Sequence, residues 1–275
     1  MTATVFAPEV DIEPSPPAAL GKAARVVAIG NSHLDSLRFA LKPDAAEQAF
    51  GFRVDYISTF DPKYQPFWSR EGASWAPHAQ FLADAQALMR EVKPDLVVAF
   101  VAGVFQFTHG TYEDERPFDF YSPEAPELGV LRGREIIPYE LVMETARLSN
   151  QHWPLLLKRI IGWAGSAPVA SVSSPPPIAD LTPFYANLKE RADVSGFQPA
   201  SLRAKLGRVQ VAAERESAQA LGVGFIEAPR EAVAAPGLLR AEYAHDQVHG
   251  NASYGRLLAR EIQGWLGRQR ETAGI

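Results

Sequence analysis

Short apolar runs alternate along the chain with longer segments in which apolar residues recur every three or four positions. Runs that are rich in β-branched residues and nearly free of charge are typical of strands covered on both faces. Five such runs are present: RVVAIG (25–30), FRVDYIST (52–59), DLVVAFVAG (95–103), APVASVSS (167–174) and GVGFIEAP (222–229). The pattern therefore predicts a sheet of about five buried strands.

The segments between these runs are predicted to be helical, because their apolar residues gather on one face at helical spacing. They cover residues 78–92, 139–165, 202–222 and 252–269. Pro154 should kink or split the second of them, since proline cannot donate a helical hydrogen bond. Gly222 is placed to end the third as a C-cap.

The alternation of strand and helix predicts an α/β fold, a parallel sheet with right-handed crossovers and helices on both faces. Residues 1–24 are rich in Pro and Ala and are predicted to form a flexible tail. Residues 25–275 are predicted to form a single domain. The segment 104–138 is expected to be a long acidic and aromatic loop of functional or disordered character.

The composition of the chain excludes several classes of function. The net charge of -5 and the scattered Lys and Arg residues argue against a nucleic-acid surface. The absence of cysteine excludes disulfides and thiolate chemistry. The amino terminus lacks the pattern of a signal peptide, and no apolar stretch is long enough to span a bilayer. The chain is therefore expected to be cytoplasmic, with no membrane span.

Polar turns follow three of the predicted strands, at the sheet edge where ligands bind in such folds. The first turn reads Gly-Asn-Ser-His and contains Ser32. A serine becomes nucleophilic when an imidazole takes its proton and a carboxylate orients the imidazole. Near the last helix, AHDQVHGNAS offers His249 with Asp246 three residues before it, and Asn251 as a helix cap. The alternative is that these residues are only loop and capping groups.

Taken together, VVAIGNSHLDSL and HDQVHGNASYG resemble the SGNH (GDSL-type) hydrolase superfamily, in a branch whose first block reads Gly-Asn-Ser-His. The resemblance covers about residues 25–268, and its specific parts are these two end blocks. It implies a flavodoxin-like, three-layer α/β/α sandwich. It also implies that Ser32 is the nucleophile, His249 the general base and Asp246 the orienting carboxylate. The family acts mostly on esters, and without a metal or organic cofactor.

The chain departs from the family pattern at the groups that stabilise the oxyanion. The resemblance implies a Gly N–H, for which Gly72 is the candidate, and an Asn side chain after the third strand. There the chain has Gly103, followed by Val104 and Phe105 in place of Asn. Gln106 or His109 is the alternative donor, and the backbone N–H groups of Ser32 and Gly103 are expected to receive the oxyanion. Asn31 is expected to brace the turn rather than to react.

These features predict a serine esterase that hydrolyses a small ester, such as an O-acetylated carbohydrate, through an acyl-enzyme. An O-acyltransferase that uses the same three residues is an alternative. A catalytically inactive binding protein on the same scaffold is another, because the Asn donor is missing. A phosphate site at the first turn ranks below these, since only one glycine is present there. No metal site is expected, because the acids at 113–115 have no histidine at ligand spacing.

Overall fold

The structure is a computed structural model that describes residues 23–71, 74–101, 105–113, 115–182 and 196–273. Most of the predicted tail, residues 1–22, lies outside the described residues, and Ala24 already belongs to a strand. The strands are β1 (Ala24–Gly30), β2 (Phe52–Ser58), β3 (Trp68–Glu71), β4 (Ser74–Pro77), β5 (Leu96–Phe100), β6 (Phe118–Asp119), β7 (Glu135–Ile136), β8 (Val169–Val172), β9 (Gly224–Ile226), β10 (Val233–Ala234) and β11 (Leu238–Leu239). The helices are α1 (Asp35–Ala40), α2 (Pro43–Phe50), α3 (Ala79–Val92), α4 (Phe105–Gly110), α5 (Tyr139–Asn150), α6 (Trp153–Ala164), α7 (Ala200–Ala220) and α8 (Ala252–Ala273).

Five parallel strands form the central sheet in the order β2-β1-β5-β8-β9. Helices flank it, so the fold is the α/β/α sandwich predicted from the sequence, and the strand order is that of flavodoxin-like folds. The order reverses at β1, which pairs with β2 on one side and β5 on the other. Ligands in such sheets bind at the carboxyl ends of the strands beside this reversal. The turn after β1 therefore lies at the favoured edge of the sheet.

Successive residues of β1 face opposite layers of the core. Val26 and Ala28 join a cluster with residues of α1, α2 and α8, whereas Val27 and Ile29 join one with residues of α3 and α6. A smaller cluster lies between α4, α5 and α7. Because β1 is covered on both faces, it reads in the sequence as an unbroken apolar run.

Each of the five predicted strands and four predicted helical segments overlaps an observed element, whereas α4 and the β3–β4 ribbon were not predicted. The helical segment 139–165 is split into α5 and α6, with Pro154 in the first turn of α6. Gly222 follows α7 with a φ of 66°, the left-handed conformation of a C-cap glycine. Among the residues described, no helix is long and apolar enough to cross a membrane.

The segment 104–138 differs from the predicted loop in its described part. It contains α4 and the parallel pair β6–β7. A fully buried ion pair between Lys205 of α7 and Asp119 of β6 anchors it. The Lys205 ammonium also donates to the carbonyl oxygens of Phe120 and Gly129, at 2.8 and 2.9 Å. Local patterning carries no sign of this anchor, since its partners lie 86 residues apart.

Candidate active site

The turn after β1 begins with a close approach between two strands. A Cβ on Gly30 would lie 2.4 Å from both the Cβ and the carbonyl oxygen of Phe100 in β5, so only glycine fits there. The backbone N–H of Asn31 donates to that carbonyl oxygen at 3.0 Å. The side chain of Asn31 then accepts the backbone N–H of His33 at 3.1 Å. Asn31 thus braces a short 3-10 turn over Ser32–Leu34, which leads into α1.

The loop before α8 is folded around the Asp246 carboxylate. Its Oδ1 accepts the backbone N–H groups of Val248 and His249 at 2.8 and 2.9 Å. The loop closes through a bridge between Ala244 and Gly250. Asn251 then caps α8, because its side-chain oxygen accepts the backbone N–H three residues further on at 3.1 Å. The aspartate therefore holds the loop as well as the imidazole.

Ser32, His249 and Asp246 form a continuous hydrogen-bonded chain. The Ser32 Oγ lies 2.7 Å from His249 Nε2. The His249 Nδ1 lies 2.8 and 2.9 Å from the two carboxylate oxygens of Asp246. The fold brings the serine and the histidine together across 217 residues of sequence. All three residues are partly exposed, so a substrate can approach them from solvent.

The charge of the Asp246 carboxylate determines which nitrogen of His249 carries the proton. Burial alone would raise the pKa of Asp246, but its hydrogen bond from His249, the charge of that imidazole and the two backbone N–H donors outweigh burial and lower the pKa. Asp246 therefore stays ionised near neutral pH. An anion beside Nδ1 favours the tautomer in which Nδ1 carries the proton. The Nε2 atom is then free to accept the proton of Ser32.

A second imidazole, that of His33, packs against His249 with ring centroids 5.2 Å apart. Burial, and secondarily the charge of His249, lower the pKa of His33 to about 3. His33 is therefore neutral at physiological pH and adds no positive charge beside the imidazolium that would form on His249. The contact between His33 and His249 depends on the tertiary fold, because the two residues lie far apart in the sequence.

Of the predicted oxyanion donors, the structure describes Ser32 and His109 but not Gly72 or Gly103. The backbone N–H of Ser32 lies in the first turn of its 3-10 helix, where N–H groups have no partner within the helix. Gly72 and Gly103 lie outside the described residues, and both remain predictions. His109 packs its ring on Phe105, with centroids 5.2 Å apart.

The side chain of Gln106 has a structural role that the sequence did not predict. Its amide donates to the carbonyl oxygen of Pro175 at 2.7 Å, and its backbone N–H donates to Gln210 at 2.8 Å. Gln210 in turn donates to Ser174 and to Glu214. Gln106 was predicted as an oxyanion donor from its position alone. The observed contacts place its side chain in this buried network.

No group of three or more metal-ligating side chains occurs in the described ranges of the chain. The buried carboxyl of Glu214 has serine and glutamine as its hydrogen-bond partners. Its side chain belongs to the packing between α7 and the end of β8. Around Ser32, the structure places a hydroxyl, an imidazole and a carboxylate within hydrogen-bonding distance of one another.

Several solved structures resemble this chain. A GDSL-like lipase from Bacteroides thetaiotaomicron is 16% identical, with 90% of this chain and 89% of that one covered and a TM-score of 0.45. The periplasmic domain of a lipopolysaccharide acetyltransferase from Salmonella ser. Paratyphi A is 12% identical, with 90% and 84% covered and a TM-score of 0.49. A carbohydrate acetylesterase from Sinorhizobium meliloti is 14% identical, with 90% and 99% covered and a TM-score of 0.42.

The chain matches no protein-family model, and its sequence matches no curated protein.

Proposed function

We propose that this chain is a serine esterase that hydrolyses a small ester through an acyl-enzyme. The observation that carries the proposal is the chain of contacts from Ser32 Oγ to His249 Nε2, at 2.7 Å, and from His249 Nδ1 to Asp246, at 2.8 Å. These are the distances that a nucleophile, its base and the group orienting the base require. If these residues were only loop and capping groups, nothing would require them to contact one another across the fold.

In the first half of the reaction, Ser32 Oγ bonds to the ester carbonyl carbon and its proton passes to His249 Nε2. The carbonyl π electrons move to oxygen, and the backbone N–H of Ser32 donates to the resulting oxyanion. Asp246 stabilises the imidazolium. As the oxyanion collapses, the bond to the alcohol oxygen breaks and His249 returns the proton to that oxygen.

In the second half, water attacks the acyl carbon while His249 Nε2 takes one of its protons. The tetrahedral intermediate collapses, the bond to Ser32 Oγ breaks, and the serine recovers its proton from His249. The products are a carboxylic acid and an alcohol. Within this proposal an O-acetylated carbohydrate is a substrate class to test first, and an alcohol that replaces water would turn hydrolysis into acyl transfer.

The direct test is labelling with a fluorophosphonate probe, read by mass spectrometry of the intact protein and its peptides. We expect one adduct, on Ser32, that is lost in Ser32→Ala and in His249→Ala. His245→Ala is the matched control, because it removes an imidazole from the same loop. That variant should still label. A folded wild-type protein that does not label would refute the esterase and favour the binding protein.

A kinetic test follows on acetyl and longer-chain model esters. Ser32→Ala and His249→Ala should each reduce kcat by about 10³-fold or more, and the double variant should be little worse than either. Residues that act as one unit lose their joint contribution at the first substitution. Losses that multiply in the double variant would show that the two residues act independently.

A further inference from the structure

Three exposed leucines lie along one face of the segment that contains α5 and α6. Leu141, Leu148 and Leu155 are 56%, 53% and 43% exposed. Their spacing of seven residues corresponds to two helical turns, which keeps them on one side of a helix. Most large apolar side chains of a soluble protein are buried, so a row of three is a feature to explain. We call these three residues the leucine strip.

The backbone joins the two helices without leaving the right-handed helical region. Gln151 has φ -57° and ψ -24°, and His152 has φ -87° and ψ -27°. The two helices therefore follow one another through a short helical-region junction, in which the N–H of Gln151 donates to Leu148 and the N–H of Leu155 donates to His152. Between Leu141 and Leu155 the strip extends for about 20 Å, at 1.5 Å per residue.

An exposed aromatic ring continues the strip on one side. His152 lies four residues after Leu148 and three before Leu155, and so shares their face. The ring of Trp75, in the β3–β4 ribbon, packs against His152 with centroids 5.4 Å apart. Trp75 is itself exposed. The strip and this ring form an apolar patch to which two separate parts of the chain contribute.

The charges beside the strip have opposite signs at its two ends. Glu144 lies one turn after Leu141, and Arg159 lies one turn after Leu155. Both are exposed, and Arg159 has no ion-pair partner within the described part of the chain. Glu144 has only a 3.7 Å contact with Arg147, whose hydrogen bonds go to Glu216.

The arrangement of leucines and charges along the strip is complementary to a second copy of itself. If two copies pack antiparallel about a twofold axis through Gln151 and His152, Leu148 of one copy meets Leu155 of the other. The same register places Glu144 opposite Arg159 of the second copy, and symmetry repeats each contact. We propose that the leucine strip is the contact surface of a symmetric dimer of this chain. The dimer is independent of the proposed reaction.

The first test is the oligomeric state by sedimentation velocity and by light scattering across a range of protein concentrations. The wild type should dimerise, and Leu148→Glu should raise the dimer dissociation constant roughly 30-fold or more, as burial of a charge at an interface centre does. Phe60→Glu is the matched control, since it adds the same charge at another exposed apolar residue, after β2. Phe60→Glu should dimerise as the wild type does.

A charge exchange tests the register. Arg159→Glu and Glu144→Arg should each weaken self-association by roughly fivefold, because each brings like charges together twice per dimer. Mixing the two variants should restore dimers, since both contacts are then between opposite charges. A wild type that stays monomeric overturns the proposal, and so does a Leu148→Glu variant that dimerises normally. If the mixture of the two variants does not form dimers, the antiparallel register is wrong.

Discussion

Gly255 of α8 lies directly against the carbonyl oxygen of Ser36 in α1, so closely that a Cβ on Gly255 would lie 1.9 Å from that oxygen. Ser32 stands just before α1, and His249 just before α8. The contact therefore sets how closely the two helices approach, and with it the 2.7 Å distance between Ser32 Oγ and His249 Nε2. Glycine is required at position 255 because any side chain there would collide with the backbone of Ser36.

Gly255→Ala should destabilise the fold and impair the site together. The added methyl meets backbone atoms that cannot swing aside, and overpacking of this kind costs about 3 kcal/mol. Urea unfolding measures the stability, and the rate of fluorophosphonate labelling measures the site. Gly267→Ala in the same helix is the control, because nothing lies within 4 Å of its Cβ position. That substitution should stabilise the helix by up to about 1 kcal/mol. Equal stability of the two variants would contradict the role given to Gly255.

Asp246→Asn should leave the fold nearly unchanged and reduce kcat by about 10⁴-fold. The asparagine oxygen can still accept the backbone N–H of Val248, now at 2.8 Å from Asp246. Its N–H₂ group, however, would face His249 Nδ1 and force the proton onto Nε2, which could then no longer accept from Ser32. Steady-state kinetics with thermal unfolding separate the two effects.

The control for that prediction is Asp61→Asn. Asp61 also accepts a backbone N–H two residues ahead, at 3.1 Å, but belongs to the loop after β2. It should retain wild-type kcat. If Asp246→Asn kept most of its activity while remaining folded, the carboxylate would be a brace for the loop and not an orienting group for the base.

Glu214 should make the protein less stable as pH rises. Burial raises its pKa from 4.5 to about 7, although hydrogen bonds from Ser174 and Gln210 favour the carboxylate. Between these values the folded state holds a proton that the unfolded state has lost, so the free energy of unfolding falls with increasing pH and levels off above about 7. The full change is about 3 kcal/mol. It should be absent in Glu214→Gln.

Urea unfolding at about pH 5 and about pH 8 measures this difference. Glu216→Gln is the control, because Glu216 lies on the same helix, is exposed and pairs with Arg147. It should keep the wild-type dependence. A Glu214→Gln variant whose stability falls over this range as much as the wild type would show that another group is responsible.

Lys205→Met should cost about 3–5 kcal/mol, because it leaves the Asp119 charge buried without its partner. Adding Asp119→Asn should recover part of the loss. The amide removes the charge yet can still accept one of the backbone N–H groups, of Phe120 and Leu131, that Asp119 now serves. Urea unfolding of the single and double variants decides this. Lys158→Met, at an exposed lysine, should change stability by less than about 0.5 kcal/mol.

Local sequence pattern was sufficient to predict the five central strands and the long helices, in their order along the chain. β1 was predicted as a strand because its residues form a short apolar run, and α8 as a helix because its apolar residues repeat at helical spacing. The split near Pro154 and the left-handed Gly222 also follow from the conformational limits of single residues. Short elements such as α4 and the β3–β4 ribbon have too few residues to establish a period, and they were missed.

The sequence by itself determined the chemical types at the candidate site, with Ser32 at a strand-to-helix turn and Asp246 three residues before His249. Only the tertiary structure decided that these groups meet, that Gln106 belongs to a buried hydrogen-bond network, and that Lys205 pairs with Asp119. The reason is physical. Secondary structure depends on residues within a few positions of one another, whereas these contacts join residues tens to hundreds of positions apart and require the approach of whole elements, as at Gly255 and Ser36.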